Sequence, residues 1–140
     1  MNLIRIKYTD QLVIKAKSEF QKGNYKISWQ YLEDAHIFSQ PYPAMHTFVH
    51  WTMLCFAFRL RDTSEIFGQL LRLILAPPAS ILKKYPAGNN GRSNTGLFTH
   101  FPIPSRIEKK IIKLDKLEIQ RKKSGGVLVK YTRQHPTMRN

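Results

Sequence analysis

Residues 31–54 read YLEDAHIFSQPYPAMHTFVHWTML, and the division of this stretch into elements decides the fold. Pro41 and Pro43 each push the preceding residue away from helical geometry, so Ser39–Pro43 marks the end of one helix. Proline is tolerated at the first position of a helix, where its missing N–H would have no intrahelical partner. A second helix is therefore expected from about Pro43 to Leu60. Phe48, Val49, Trp51, Met53, Leu54, Phe56, Ala57 and Phe58 leave it apolar over most of its circumference, the pattern of a central, buried helix. Upstream, Trp29, Leu32 and His36 share one stripe of a helix over about Tyr25–Phe38. The connection between the two is short, so they should lie as antiparallel neighbours.

Working outward, Thr9 or Asp10 is a candidate cap for a first helix reaching about Lys22. Leu12, Val13, Ala16 and Phe20 keep its helical spacing, and Gly23-Asn24 supplies the stop. Asp62 caps a fourth helix through Ile66, Phe67, Leu70, Leu71 and Leu73 to Leu75, with Pro77-Pro78 expected to end it and residues 79–84 forming at most one further turn. Residues 85–104, YPAGNNGRSNTGLFTHFPIP, read as a long ordered loop in which Leu97, Phe98, Phe101 and Ile103 need somewhere to pack. A connection of that length is unusual in a compact domain and raises the expectation of function. A last helix over about Pro104–Lys122 places Ile107, Ile111, Leu114 and Leu117/Glu118 on one face. The expected architecture is an all-α compact bundle of about four to five helices. It forms one domain over residues 1–122, followed by a basic, flexible tail at 123–140. Phe20, Gly23-Asn24-Tyr25, Trp29 and Ala35 resemble one tetratricopeptide-type helical hairpin, without a second copy at the 34-residue period of a superhelical array.

The chain has 140 residues and a formal net charge of +14. Residues 105–140 carry 11 Lys/Arg against 3 Asp/Glu, more than half of that excess. Such a surface attracts polyanions and acidic membranes without chemical selectivity. A protein partner or an acidic polymer at the basic C-terminal region is accordingly one reading. Aromatic interleaving and a helix-turn-helix signature, which specific nucleic-acid recognition would want, are both missing. The single cysteine, Cys55, cannot form an internal disulfide, and no stretch reads as a signal peptide or as a span long enough for a bilayer. A cytoplasmic location is the expectation.

His46-x-x-x-His50 places two imidazoles on one helix face, and Glu33-x-x-His36 does the same with a carboxylate on the preceding helix. Across a short antiparallel connection His36, in a last turn, comes near His46, in a first turn. Three imidazoles and a carboxylate are a donor set for zinc, copper or iron, so Glu33, His36, His46 and His50 are the candidate metal ligands. The competing reading is structural: His36 gains from a helix C-terminal dipole, and half-buried histidines find backbone or Tyr42 partners. Met53 and Cys55 read as core residues. The segment Gly88–Asn94 clusters glycine, amides and an arginine; Asn90 and Arg92 are candidate ligand-binding residues for a phosphate or carboxylate, or else Arg92 pairs with a core acid. It is not a Walker loop, and neither a nucleophile elbow nor a paired-carboxylate cleft is visible. The sequence thus carries no catalytic assignment.

Tyr31–Pro41, then His46-x-x-x-His50-Trp-x-Met-Leu54, Gly68-Gln-Leu-Leu-Arg-Leu73, Tyr85-Pro, Gly88-Asn-Asn-Gly-Arg-Ser93 and Pro102-Ile-Pro104 resemble the DUF3703 family, small bacterial proteins of unknown function. The resemblance spans about residues 10–107. It implies a compact helical domain and a setting among bacterial metal-resistance genes, and it carries no catalytic residues over. Phe38 stands where the family pattern has a smaller aliphatic residue, and the chain from Ser105 is more basic than the family core. The resulting expectation is a metal-binding helical protein with an accessory or sequestration role. The alternative is a non-enzymatic interaction module built on the helical hairpin.

Overall fold

The computed structural model describes residues 2–134, and side chains as far as Gly125. Five α-helices, and no strand among the described residues, follow in the order α1 (Leu3–Gln21), α2 (Tyr25–Ser39), α3 (Pro43–Leu60), α4 (Thr63–Ile81) and α5 (Ser105–Gln134). The first helix starts earlier than Thr9: Asn2 is its cap, its side chain accepting from Arg5 N–H. Thr9 is an interior residue whose hydroxyl donates to the Arg5 carbonyl (2.9 Å), and it is fully buried. The α2–α3 division falls where the prolines place it, with Pro43 in the first turn of α3. Arg5 from α1 closes the end of α2 by donating from Nε to the Phe38 carbonyl (3.0 Å).

Leu12, Val13, Ala16 and Phe20 of α1 pack with Trp29, Leu32, Ala35 and Phe38 of α2 and Val49, Met53 and Phe56 of α3; Ile107 and Leu114 of α5 complete the core. The third helix is buried along Val49, Met53, Phe56 and Ala57, yet Trp51 and Phe58 are exposed, so its apolar circumference is only partly covered. Arg61, in left-handed geometry (φ 56°), turns the chain out of α3, and Asp62 caps α4 by accepting from Glu65 N–H.

Two expectations require correction. The fourth helix does not stop at Leu75: it runs through Pro77-Pro78 to Ile81. The two prolines remove the amides that would reach the carbonyls one turn back and crowd those carbonyls with their rings, yet the helix carries on, and the Leu82 N–H resumes the pattern on Pro78 (3.0 Å). The last helix likewise continues past Lys122 to Gln134. The side chains beyond Gly125 in the expected tail at 123–140 lie outside the described residues.

The orientation of α4 is inverted relative to an ordinary amphipathic helix. Its buried residues are Glu65, Gln69, Arg72, Ala76 and Ser80. Phe67, Leu70, Leu71, Ile74 and Ile81 face outward, Phe67 being 73% and Ile74 71% exposed. Spacings of four, three, four and four put the polar and small residues on one face, and that face meets α3, Gln40 just after α2, and the loop at 85–104.

Candidate metal centre

His36 closes α2, and His46 and His50 lie one turn apart on α3. All three are buried. Their ring centroids form a nearly equilateral triangle with sides of 4.7, 4.7 and 4.8 Å. Nε2 of His36 lies 2.9 Å from Nε2 of His46 and 3.2 Å from Nε2 of His50. The antiparallel α2–α3 arrangement thus brings together the three histidines that the spacing singles out, and they form a group able to hold a metal ion.

The outer nitrogens fix the protons. His36 Nδ1 lies 2.8 Å from the Asn89 carbonyl, which can only accept. His50 Nδ1 lies 2.7 Å from Gln69 Oε1. The orientation of that amide is set from its other end, where Nε2 donates to Glu65 Oε1 (2.7 Å) and to the Gly91 carbonyl (2.8 Å). His46 Nδ1 lies 2.7 Å from Ser80 Oγ. The Ser80 hydroxyl spends its own proton on the Gln40 carbonyl (2.8 Å), so toward His46 it is an acceptor. Every Nδ1 therefore carries hydrogen and donates. A neutral imidazole has only one N–H, so all three Nε2 atoms present bare lone pairs, that of His36 lying 2.9 and 3.2 Å from those of His46 and His50 and all three ligand atoms within 4.8 Å of one another.

Three converging lone pairs without a proton or cation between them repel. Burial, with repulsion from His50 and His46, holds His36 well below the ordinary histidine range. Burial takes His46 to about 3. It takes His50 to about 4, against the opposing hydrogen bond to Gln69. Protonation is thus disfavoured near neutral pH, and the cluster offers three neutral donors. On a zinc-sized ion 2.0–2.1 Å from each donor, the His36–His46 and His36–His50 pairs would subtend roughly 90–105°. The donor chemistry and the spacing fit a first-row divalent metal bound on one face.

The surrounding shell comes from α4 and the loop. Glu65, 1% exposed, accepts from Gln69 Nε2, from the Ser93 N–H and hydroxyl, and from Arg92 Nε at 3.1 Å. Burial alone would raise its carboxyl; the hydrogen bonds from Gln69 and Ser93 and the Arg92 charge outweigh this and hold it ionised. Arg92 also donates to Glu33 Oε1 (3.3 Å) and lies 3.8 Å over the Trp29 ring, strapping the loop to α2 and α4. Asn89 pins the loop through Nδ2, which donates to the Gly96 and Thr99 carbonyls, while its Oδ1 accepts from Gly91 N–H. Gly91 sits flat against the His36 ring at φ +80°, where an added Cβ would lie 2.7 Å from Cγ and Cδ2.

The other sequence candidates take different places. Glu33 is outside the histidine triangle, its carboxylate engaged by Arg92 and raised by burial against the opposing pull of that arginine. Asn90 accepts from the Arg92 N–H and the Thr95 hydroxyl within the loop. Arg92 is paired with the two glutamates. Gln69, Ser80 and the Asn89 carbonyl, which orient the three rings, were not singled out by sequence reasoning. The available signal was the polar and small stripe Glu65, Gln69, Arg72, Ala76, Ser80 on an otherwise apolar helix, cut short by the expectation that Pro77-Pro78 ends it.

No curated protein and no solved structure matches the chain. The profile of the DUF3703 family, proteins of unknown function, matches residues 4–111 and so includes all three histidines and the shell around them. The chain belongs to the DUF3703 family.

Proposed function

We propose that this protein binds one divalent transition-metal ion through Nε2 of His36, His46 and His50. The observation that carries the reading is the fixed proton inventory. Asn89, Gln69 and Ser80 each hold an Nδ1–H, leaving three lone pairs converging in a buried space. Outer hydrogen bonds of this kind orient ligating imidazoles and raise their basicity. Three neutral nitrogens suit zinc, copper(II), nickel or iron(II), and a tetrahedral ion would keep a fourth position free of protein ligands. Glu33 is not included among the ligands, because its carboxylate is engaged by Arg92. The role favoured by a site this enclosed is tight capture of the ion, as in a sequestration or accessory function.

Untagged protein, stripped by chelator and titrated with zinc or cobalt(II), should take up one equivalent per chain. A His46→Ala/His50→Ala variant should lose this uptake while retaining its helical circular dichroism. Absence of stoichiometric uptake by the folded wild type, or undiminished uptake by the variant, overturns the proposal.

A further inference from the structure

A small cavity of about 40 Å³ adjoins the three histidines, with Arg72, Lys84, Leu75, Ala79, Leu97 and Phe98 among its lining residues. Room for one water needs roughly 10–15 Å³ on this measure, so the space admits a ligand of a few heavy atoms. Its electrostatics are one-sided. Arg72 is 7% exposed, and among the described residues its guanidinium donates only to backbone carbonyls: Gly68 (3.1 Å), Arg92 (2.8 Å) and Thr95 (2.7 Å). These use three of its five N–H donors. Among the described residues no carboxylate lines the cavity, and Glu65, the acid that attracts Arg72, is ion-paired with Arg92. A divalent ion held by three neutral imidazoles would therefore share this cavity with a guanidinium that has no carboxylate hydrogen-bonded to it and, at its exposed rim, the Lys84 ammonium. Like charges in a poorly solvated space repel strongly, and an anion between them removes the conflict.

Resting on the metal reading, we infer that the fourth coordination position takes a small monovalent anion of two to four heavy atoms, seated between the metal and Arg72. Azide, formate and bicarbonate are the probes. In cobalt(II)-loaded protein at constant ionic strength, each should shift the visible d–d bands saturably. Arg72→Met should still bind one cobalt but weaken azide binding at least tenfold, and Arg72→Lys should recover part of it. Lys84 is exposed, so Lys84→Gln tests the same field without touching the core; it should weaken azide two- to fivefold. A cobalt spectrum indifferent to all three anions, or azide affinity unchanged in both charge-removing variants, overturns the anion inference and leaves metal binding standing. Failure of cobalt to bind would instead remove the underlying reading.

An independent observation is the outward apolar face of α4. Phe67, Leu70, Leu71, Ile74 and Ile81 are 42–73% exposed, and no charged side chain is exposed between Ile66 and Leu82. The strip is about 21 Å long. With Leu82 and Phe98 alongside, it presents on the order of 600 Å² of apolar surface, near the roughly 800 Å² that each partner contributes to a stable interface. On a chain of charge +14, a charge-free strip is the place where two copies can meet without like-charge contact. The geometry points to a two-fold dimer of this chain, α4 against its copy. Sedimentation equilibrium of the full chain should give a dimer, and Ile74→Lys/Phe67→Glu a monomer with unchanged helicity. A monomer at all concentrations, or a dimer that survives the double variant, overturns this. So does binding of a monomer to phosphatidylglycerol vesicles that the double variant loses, which would make a lipid surface the occupant.

Discussion

Gly91 tests the site geometry without altering any candidate ligand. Alanine there places a Cβ 2.7 Å from two carbons of the His36 ring. Carbon pairs rest at 3.5–4.0 Å, so the ring or the loop must retreat by about 0.8 Å. Metal sites hold their distances to about ±0.2 Å, and a displacement several times larger removes His36 as an effective third donor. Loss of at least 100-fold in metal affinity is expected, about 2.8 kcal/mol at 1.4 kcal/mol per tenfold. The backbone cost must be separated from this effect. Gly91 has φ +80°, and Gly23 has φ +81° with nothing within 4 Å of an added Cβ. Gly23→Ala therefore carries the same left-handed penalty, about 1–2 kcal/mol of folding stability, without a steric clash. Competition against a calibrated chelator, alongside urea denaturation of the metal-free proteins, reads both quantities. Gly91→Ala should lose both stability and metal affinity, whereas Gly23→Ala should lose stability only. Equal metal affinities for the two variants would refute the placement of His36 in the site.

Three further outcomes follow from the surroundings. Gln69→Leu removes the acceptor that orients His50 and should weaken metal binding 10–100-fold with the three ligands still present; a chelator competition showing wild-type affinity would contradict the role of that amide. Metal-free protein should lose stability as pH falls. His46 and His50 have folded values near 3 and 4, below the unfolded 6.5, so the unfolded chain binds more protons between those values. Their contribution is complete above about pH 6.5 and amounts to about 2 kcal/mol lost per histidine by pH 5, measurable by urea titration at the two pH values. A midpoint that does not fall would contradict the buried neutral state. Arg92→Met leaves the buried Glu65 carboxylate without its guanidinium and should cost about 3 kcal/mol, with faster amide exchange at Gly91 and Ser93; unchanged exchange would contradict the strap.

Much of this arrangement is legible in the sequence because it is local. The prolines at 41 and 43 punctuate two helices, a short connection makes them antiparallel, and an i,i+4 pair opposite a last-turn histidine must then converge. The parts that escape are those fixed by tertiary contacts. Glu33 has the right spacing to accompany His36, yet spacing says nothing of Arg92, fifty-nine residues away, which claims its carboxylate. Proline-proline reads as a stop, because it removes two amide bonds and crowds the carbonyls one turn back, but Ser80, beyond it, has both His46 and the Gln40 carbonyl to bind. The inverted face of α4 escaped for the opposite reason: hydrophobic periodicity identifies a helix but does not say which face turns inward. Here a polar stripe with buried partners holds the inner position. Leu97, Phe98, Phe101 and Ile103 were all expected to pack, and the loop leaves Phe98 71% exposed while Ile103 joins the core.

The most direct test of the central claim is the X-ray absorption fine structure of the zinc-loaded protein. Three imidazole nitrogens at about 2.0 Å with one additional light-atom ligand are expected, with the multiple-scattering signature of imidazole reduced in His36→Ala. A first shell containing sulfur from Cys55, or fewer than three imidazoles in the wild type, would contradict the assignment of His36, His46 and His50 as the metal centre.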